Sequence, residues 1–148
     1  MVTRFNNNTW NELLEYKKRK NITGAFYGVP IRVSPSIPIK SKMIVLEMNN
    51  DTNSIMGIGL ITNYLKMNEI HKIYSWGNWN RFVYQGKYRI SRYDMNRNEL
   101  ELIEKMENKV FRSKGHLKRG QGIQSVPKNR YDLDDINKFQ QMFKDRKH

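Results

Sequence analysis

The chain contains no cysteine. A disulfide framework, a thiolate nucleophile and a cysteine zinc site are thereby excluded. Apolar runs are short, and none approaches the roughly 20 residues of a membrane-spanning helix, so no membrane partner is expected. The opening MVTRFNNNTW has no apolar h-region, and no secretory leader is expected. Histidine is scarce, and His71, His116 and His148 lack metal-ligand spacing. Acidic residues are few: 14 Asp and Glu face 27 Lys and Arg, for a net charge of +13. Such a field favours polyanionic partners and speeds their capture. An intracellular location, cytoplasmic or nuclear, fits the missing disulfides. The 148 residues are read as a single domain, 1–148, long enough to close a core without staples.

Catalytic constellations are also missing. Glu15-Tyr16-Lys17 and Glu107-Asn108-Lys109 match the Glu-x-Lys fragment of some nucleases. No second acid is placed before either one to build a two-carboxylate metal site. Gly57-Ile58-Gly59 lacks the third glycine and helix start of a dinucleotide fingerprint. The expectation is a binding protein, not an enzyme, with no cofactor and no metal.

What is present can be taken along the chain. Residues 1–8 are polar and read as flexible. Thr9-Trp10-Asn11-Glu12 has the form of a capping box, with a helix to about residue 20. Trp10, Leu13, Leu14 and Lys17 follow helical spacing, so the three apolar groups face inward and the lysine stem covers their edge. A short strand is predicted near 25–27, followed by an irregular connector. KMIVLEM at 42–48 reads as a buried strand, 49–53 as a turn, and SIMGIGLIT at 54–62 as its return. Gly57 and Gly59 share one face of that return, which signals a bend or the close approach of another segment. A short turn is expected at 66–70. Residues 81–85 and 87–93 read as a hairpin around Gln85-Gly86, with Val83, Tyr88 and Ile90 facing the core. Asn96 or Asn98 would cap a helix over 99–107, with Leu100, Leu102, Ile103 and Met106 buried. Asp132 would cap a last helix to about residue 144, with Leu133, Ile136, Phe139 and Phe143 facing inward.

Two stretches stand out against this frame. Residues 70–93 combine Tyr74, Trp76, Trp79, Phe82, Tyr84, Tyr88 and Tyr93 with Lys72, Arg81, Lys87, Arg89 and Arg92, and contain no acid. Aromatic faces with cationic tips can stack a base and neutralise its phosphate. Buried strand aromatics account for about half of these rings, but not for two tryptophans in the polar loop YSWGNW. In residues 109–119, six of eleven are Lys, Arg or His, followed by GQGIQSVP. That composition suits a loop that orders on phosphate.

The order of these elements resembles that of a YTH domain, a member of the PUA-like group that includes EVE and ASCH domains. KMIVLEMNNDTNSIMGIGLI resembles the family's strand–turn–strand, and YSWGNWNRFVYQGKYRI its two-tryptophan loop with an Arg-Phe strand. KRGQGIQSVP resembles the Arg-Asp-x-Gln-Glu segment, and DLDDINKFQQMF the last helix. The resemblance implies an α+β fold: a small PUA-like β-barrel or strongly curved mixed sheet flanked by about three helices. It implies a reader of N6-methyladenosine in single-stranded RNA, holding the base in an aromatic cage with a basic rim for phosphates. Trp79 then matches the second loop tryptophan, and Trp76 or Tyr74 the first. A further cage tryptophan of the family follows an Asn-Ile-type dipeptide. Here Asn21-Ile22 is followed by Thr23, so Thr23, Phe26 or Tyr27 is left for that wall. Glu12 lies nearest the family's base-reading acid, although its capping role already accounts for it. Arg119 matches the phosphate-contacting arginine, with Gly120 where the family has Asp. Lys114 and Lys118 join it as phosphate candidates, and Arg81 and Lys87 are secondary ones. The expected partner is single-stranded RNA, methylated or not, with DNA as a further polyanion. Three rival readings remain: charge-driven nucleic-acid binding or genome packaging, an ASCH-like hydrolase or nuclease, and an interaction module with incidental charge.

Overall fold

The computed structural model describes residues 1–66, 69–112 and 114–146. Within them are six strands and three α-helices, an α+β arrangement built around one long strand pair. The strands are β1 (Val2–Phe5), β2 (Ala25–Val29), β3 (Lys42–Asn49), β4 (Ser54–Thr62), β5 (Phe82–Gly86) and β6 (Tyr88–Ser91). The helices are α1 (Asn7–Arg19), α2 (Arg97–Val110) and α3 (Leu133–Lys144). Among the described residues, no helix is long and apolar enough to cross a membrane.

β3 and β4 are the antiparallel pair that the 42–62 pattern predicts. β1 adds to β3 in parallel and β6 adds to β4, giving a mixed sheet of order β1-β3-β4-β6. β2 and β5 form a separate antiparallel ribbon. The strands do not close into the barrel that was one form of the expected fold. The period-2 alternation of β3 explains the two cores. Leu46 and Met48 join the α2–α3 side, whereas Met43 and Val45 join the α1 and β2–β5 side. A register shift between Leu46 and Met48 moves Ile55 to the same side as Ile58. The irregular backbone there is satisfied from α2 and from the turn after β6: the Ile55 amide donates to Glu107 (2.7 Å), and Arg92 donates to the Ile55 carbonyl (3.0 Å). Glu107, part of one Glu-x-Lys match, is thereby engaged in architecture.

The ribbon packs closely on β4. A Cβ at Gly59 would collide with the Tyr27 hydroxyl, so the close approach signalled by the paired glycines is that of β2. Tyr27 donates to the buried Glu47 (2.6 Å), and Arg89 grips the same carboxylate from β6. Burial, reinforced by the Glu47 charge and hydrogen bond, pushes the Tyr27 phenol well above its usual range.

Several expectations require correction. Residues 1–8 do not form a loose tail: Val2, Thr3 and Phe5 are buried in β1. The first helix is capped by Asn6, with Thr9 completing the capping box from its third position. Glu12 is therefore free of the cap. Leu14 is 43% exposed and Tyr16 takes the inward place. The expected hairpin is split, because β5 pairs with β2 and β6 with β4, and Lys87 is the corner between them. Tyr84 rather than Val83 is the fully buried side chain of β5, and its hydroxyl accepts from the Val33 amide (2.9 Å). The helix over 97–110 starts from Asn96, and Leu102, Ile103, Met106 and Val110 face inward while Leu100 packs at the edge. Asp132 caps α3 as expected, but Leu133 is exposed. The turn expected at 66–70 includes residues 67 and 68, and His148 is terminal; these lie outside the described residues.

Candidate functional site

Residues 71–81 form a loop whose shape is set by its own polar groups. Asn80 Oδ1 accepts from the amides of Ile73 (3.1 Å) and Tyr74 (2.9 Å), and Asn80 Nδ2 donates to the Tyr74 carbonyl (2.8 Å). One side chain thus closes the loop. The Ser75 amide donates to Glu12 Oε2 (2.7 Å), which ties the loop to α1. A single 3₁₀ turn, Gly77–Asn80, then brings Trp79 back beside Trp76. Their ring centroids lie 4.8 Å apart at 88°, and Tyr74 meets Trp79 edge-on at 6.0 Å. Tyr74 and Ile73 are buried, Trp79 is half-buried and Trp76 is 47% exposed. Burial, followed by the charges of Glu12 and Glu47, pushes the Tyr74 phenol upward, so it stays neutral.

These rings form one wall of a cavity of about 280 Å³. Gly28, Val29 and Pro30, at the end of β2, also line it. Thr3, Phe5 and Asn6, at the β1–α1 junction, supply another wall, and Lys118 with Gly120–Gly122 closes the rim. No Asp or Glu is among the lining residues. The size is near the lower end for small-molecule sites, which start at roughly 300 Å³. It suits one flat ring system better than an extended ligand.

The cavity's polar complement comes largely from the segment read as loose. Arg4 donates to the Leu117 carbonyl (2.6 Å), the Gly122 carbonyl (3.3 Å) and Gln124 Oε1 (2.8 Å), which pins the rim to β1. Burial pushes its guanidinium down from the ordinary value, yet an arginine there keeps its charge. Gly120 and Gly122 have φ of +106° and +77°, a left-handed backbone that glycine adopts without strain. Asn50 donates to the Lys118 carbonyl (2.8 Å), and its Oδ1 is buried without a partner. The Asn6 side-chain Oδ1 and backbone amide are both used by the helix cap, whereas its side-chain Nδ2 and the Thr3 hydroxyl make no hydrogen bond among the described residues. The cavity therefore offers π faces, neutral donors and acceptors, and fixed positive charge. It can hold a neutral aromatic ring attached to an anionic tail.

Of the residues singled out in the sequence, Tyr74, Trp76, Trp79 and Lys118 meet at this cavity. Tyr27 does not; its ring is consumed by the interior bond to Glu47. Phe26 stacks on Tyr16 and is equally buried. Thr23 is exposed in the connector before β2 and does not line the cavity. The wall expected from these three positions is supplied instead by Val29 and Pro30. Arg119 and Lys114 are exposed on the rim segment without lining the cavity. Arg81 lies over Phe82 and Lys87 over Tyr88. Thr3, Arg4, Asn6 and Asn50 were missed. The available signal was the alternation of Val2-Thr3-Arg4-Phe5, hidden by the asparagines that follow it. Among the described residues, no three His, Asp or Glu side chains gather as metal ligands would. Comparison with family models, curated proteins and solved structures finds no match, so the likeness to YTH domains rests on the sequence stretches themselves.

Proposed function

We propose that this chain is a PUA-like, YTH-type domain that binds single-stranded RNA and takes one modified base, of the N6-methyladenosine kind, into the cavity beside Trp76 and Trp79. One observation carries the reading: two perpendicular indoles edge a carboxylate-free cavity beside the fixed Arg4 cation. A base stacks on one indole while the edge of the other encloses a methyl group. Single-stranded RNA suits this site because its bases are displayed at little unpairing cost. Thr3, Asn6 and Tyr74 are the groups that would read the base edge. Lys118, with Arg119 and Lys114 further out on the rim, would hold the phosphates.

The test is a pair of titrations with one short single-stranded RNA, with and without a single N6-methyladenosine. Tighter binding of the methylated strand is expected. Equal affinities would remove the methyl preference and leave RNA binding in place. A charge-driven reading is favoured by the exposed cations that do not line the cavity, Lys114, Arg119 and Lys87. It predicts that duplex DNA competes as well as the single strand and that both tryptophans are dispensable.

A further inference from the structure

The two segments that frame one side of the cavity both continue into arginines. Pro30 is followed two residues later by Arg32, and Trp79 two residues later by Arg81. Val29 and Phe82 are register partners at the end of the β2–β5 ribbon, so the two segments leave the cavity side by side. Both guanidiniums converge on one ring: the Arg32 Cζ lies 5.1 Å and the Arg81 Cζ 5.3 Å from the Phe82 centroid. Both arginines are exposed and Phe82 is half-buried. Among the described residues, neither arginine pairs with an acid. Cation–π attraction thus holds two like charges beside one ring with no counter-charge. Solvent screens their repulsion in part, and a bound anion would relieve it further. A guanidinium seated on a ring also leaves its outer face flat and accessible, and bases stack on such faces.

We propose that the Arg32–Phe82–Arg81 cluster is a second nucleotide subsite, which takes a nucleotide flanking the base in the cavity. This proposal rests on the RNA reading of the cavity. The phosphate falls to the guanidinium charge and the base stacks on a guanidinium face. With no base-edge reader assigned here, the subsite tolerates any sequence. The strand therefore leaves the cavity over the β2–β5 end, as well as along the Lys118 rim, and the footprint exceeds one nucleotide.

The experiment compares the native protein, the double variant Arg32→Ala/Arg81→Ala, its lysine counterpart Arg32→Lys/Arg81→Lys, and Trp79→Ala. Each is titrated with a nine-nucleotide single-stranded RNA carrying one central N6-methyladenosine, and with the N6-methyladenosine mononucleotide read by tryptophan fluorescence. Thermal melts confirm that the exposed arginine variants fold as the native chain does. The alanine pair is expected to bind the nonamer about tenfold more weakly and to flatten the log–log salt dependence by about 0.7 for each arginine. Its mononucleotide binding should be unchanged. The lysine pair should keep the salt slope and recover part of the affinity. If the alanine pair binds the nonamer with native affinity and slope while Trp79→Ala weakens it, the second subsite is wrong and the cavity reading stands. If Trp79→Ala leaves both ligands unaffected, the cavity reading itself fails. Full recovery by lysine would overturn the stacking role.

Discussion

The two faces of the β1-β3-β4-β6 sheet are filled by different chemistry. On the face covered by α2 and α3, the fully buried hydrophobic side chains are aliphatic residues, the methionines Met48, Met95, Met106 and Met142, and three phenylalanines, and tyrosine enters only as the partly buried Tyr88 and Tyr131 packed against them. On the face covered by α1 and the ribbon, the core holds Tyr16, Tyr27, Tyr74, Tyr84 and Trp10. It also encloses the Glu47–Arg89 pair, with Arg89 lying over Trp10. Three of the four phenols have hydrogen-bond partners: His71 for Tyr16, Glu47 for Tyr27 and the Val33 amide for Tyr84. A core of aliphatic side chains, methionines and phenylalanines specifies shape. A core of rings with polar handles also specifies orientation, because each hydroxyl must meet its partner when water is excluded. The cavity lies on the second face, where the loop carrying its two indoles is held by Asn80 and Glu12.

The sharpest way to break this contrast is to remove Glu47. Arg89 would then be buried without its partner, and Glu47→Ala is expected to lose about 3–5 kcal/mol in denaturant unfolding. A loss below about 1 kcal/mol would mean that the polar core is dispensable. On the aliphatic face, Ile103→Ala should lose about 2–5 kcal/mol by leaving a cavity. RNA affinity measured well below its melting temperature should be unchanged, and a parallel loss of binding would erase the division of labour. Trp79→Ala reverses the pattern: it should weaken RNA binding by about 1–3 kcal/mol through lost stacking, read as a change in Kd.

The smallest effect concerns Lys17, on the same face. Desolvation, then the nearby Arg89 charge, pushes its amine down to about 8, with Glu47 acting in the opposite direction. The unfolded chain keeps that proton up to near 10.5, whereas the native chain sheds it near 8. Between those values the unfolded state binds more protons, so stability rises with pH; below pH 8 both states are charged and the cost is constant. The raised phenols of Tyr27 and Tyr74 act in the opposite sense, above pH 10. Urea midpoints should therefore climb from pH 8 to 9.5, and Lys17→Met should flatten that climb.

Much of the architecture could be read from local pattern. Asp132 before an apolar stripe and the NNDTN turn between two apolar runs are signals contained in a few neighbouring residues. The parts that could not be read depend on distant partners. Gln85-Gly86 looks like a hairpin turn, and only the positions of β2 and β4 reveal that the chain changes sheets at Lys87. The bulge opposite Leu46–Met48 takes in Met56 and Gly57, and Gly57 alone does not reveal that its support arrives from Glu107 on α2. At the cavity, Trp76 and Trp79 announced themselves because two indoles in a polar loop are out of place. Thr3, Arg4 and Asn6 did not, since a four-residue strand has too few alternations to exceed the noise.

The pairing of β1 also bears on how the protein is made. Arg4 is bound to a carbonyl 113 residues further along, and Val2 exchanges backbone hydrogen bonds with Gln124. Contacts of such long sequence separation close late, after the loop entropy between them has been lost. A chain emerging from the ribosome can assemble the β3–β4 pair early, but it cannot complete the cavity wall until residue 124 is free. Until then Trp76 and Trp79 are exposed on a nascent chain without their opposite walls. Occupation of the cavity is thereby deferred until residue 124 has joined β1.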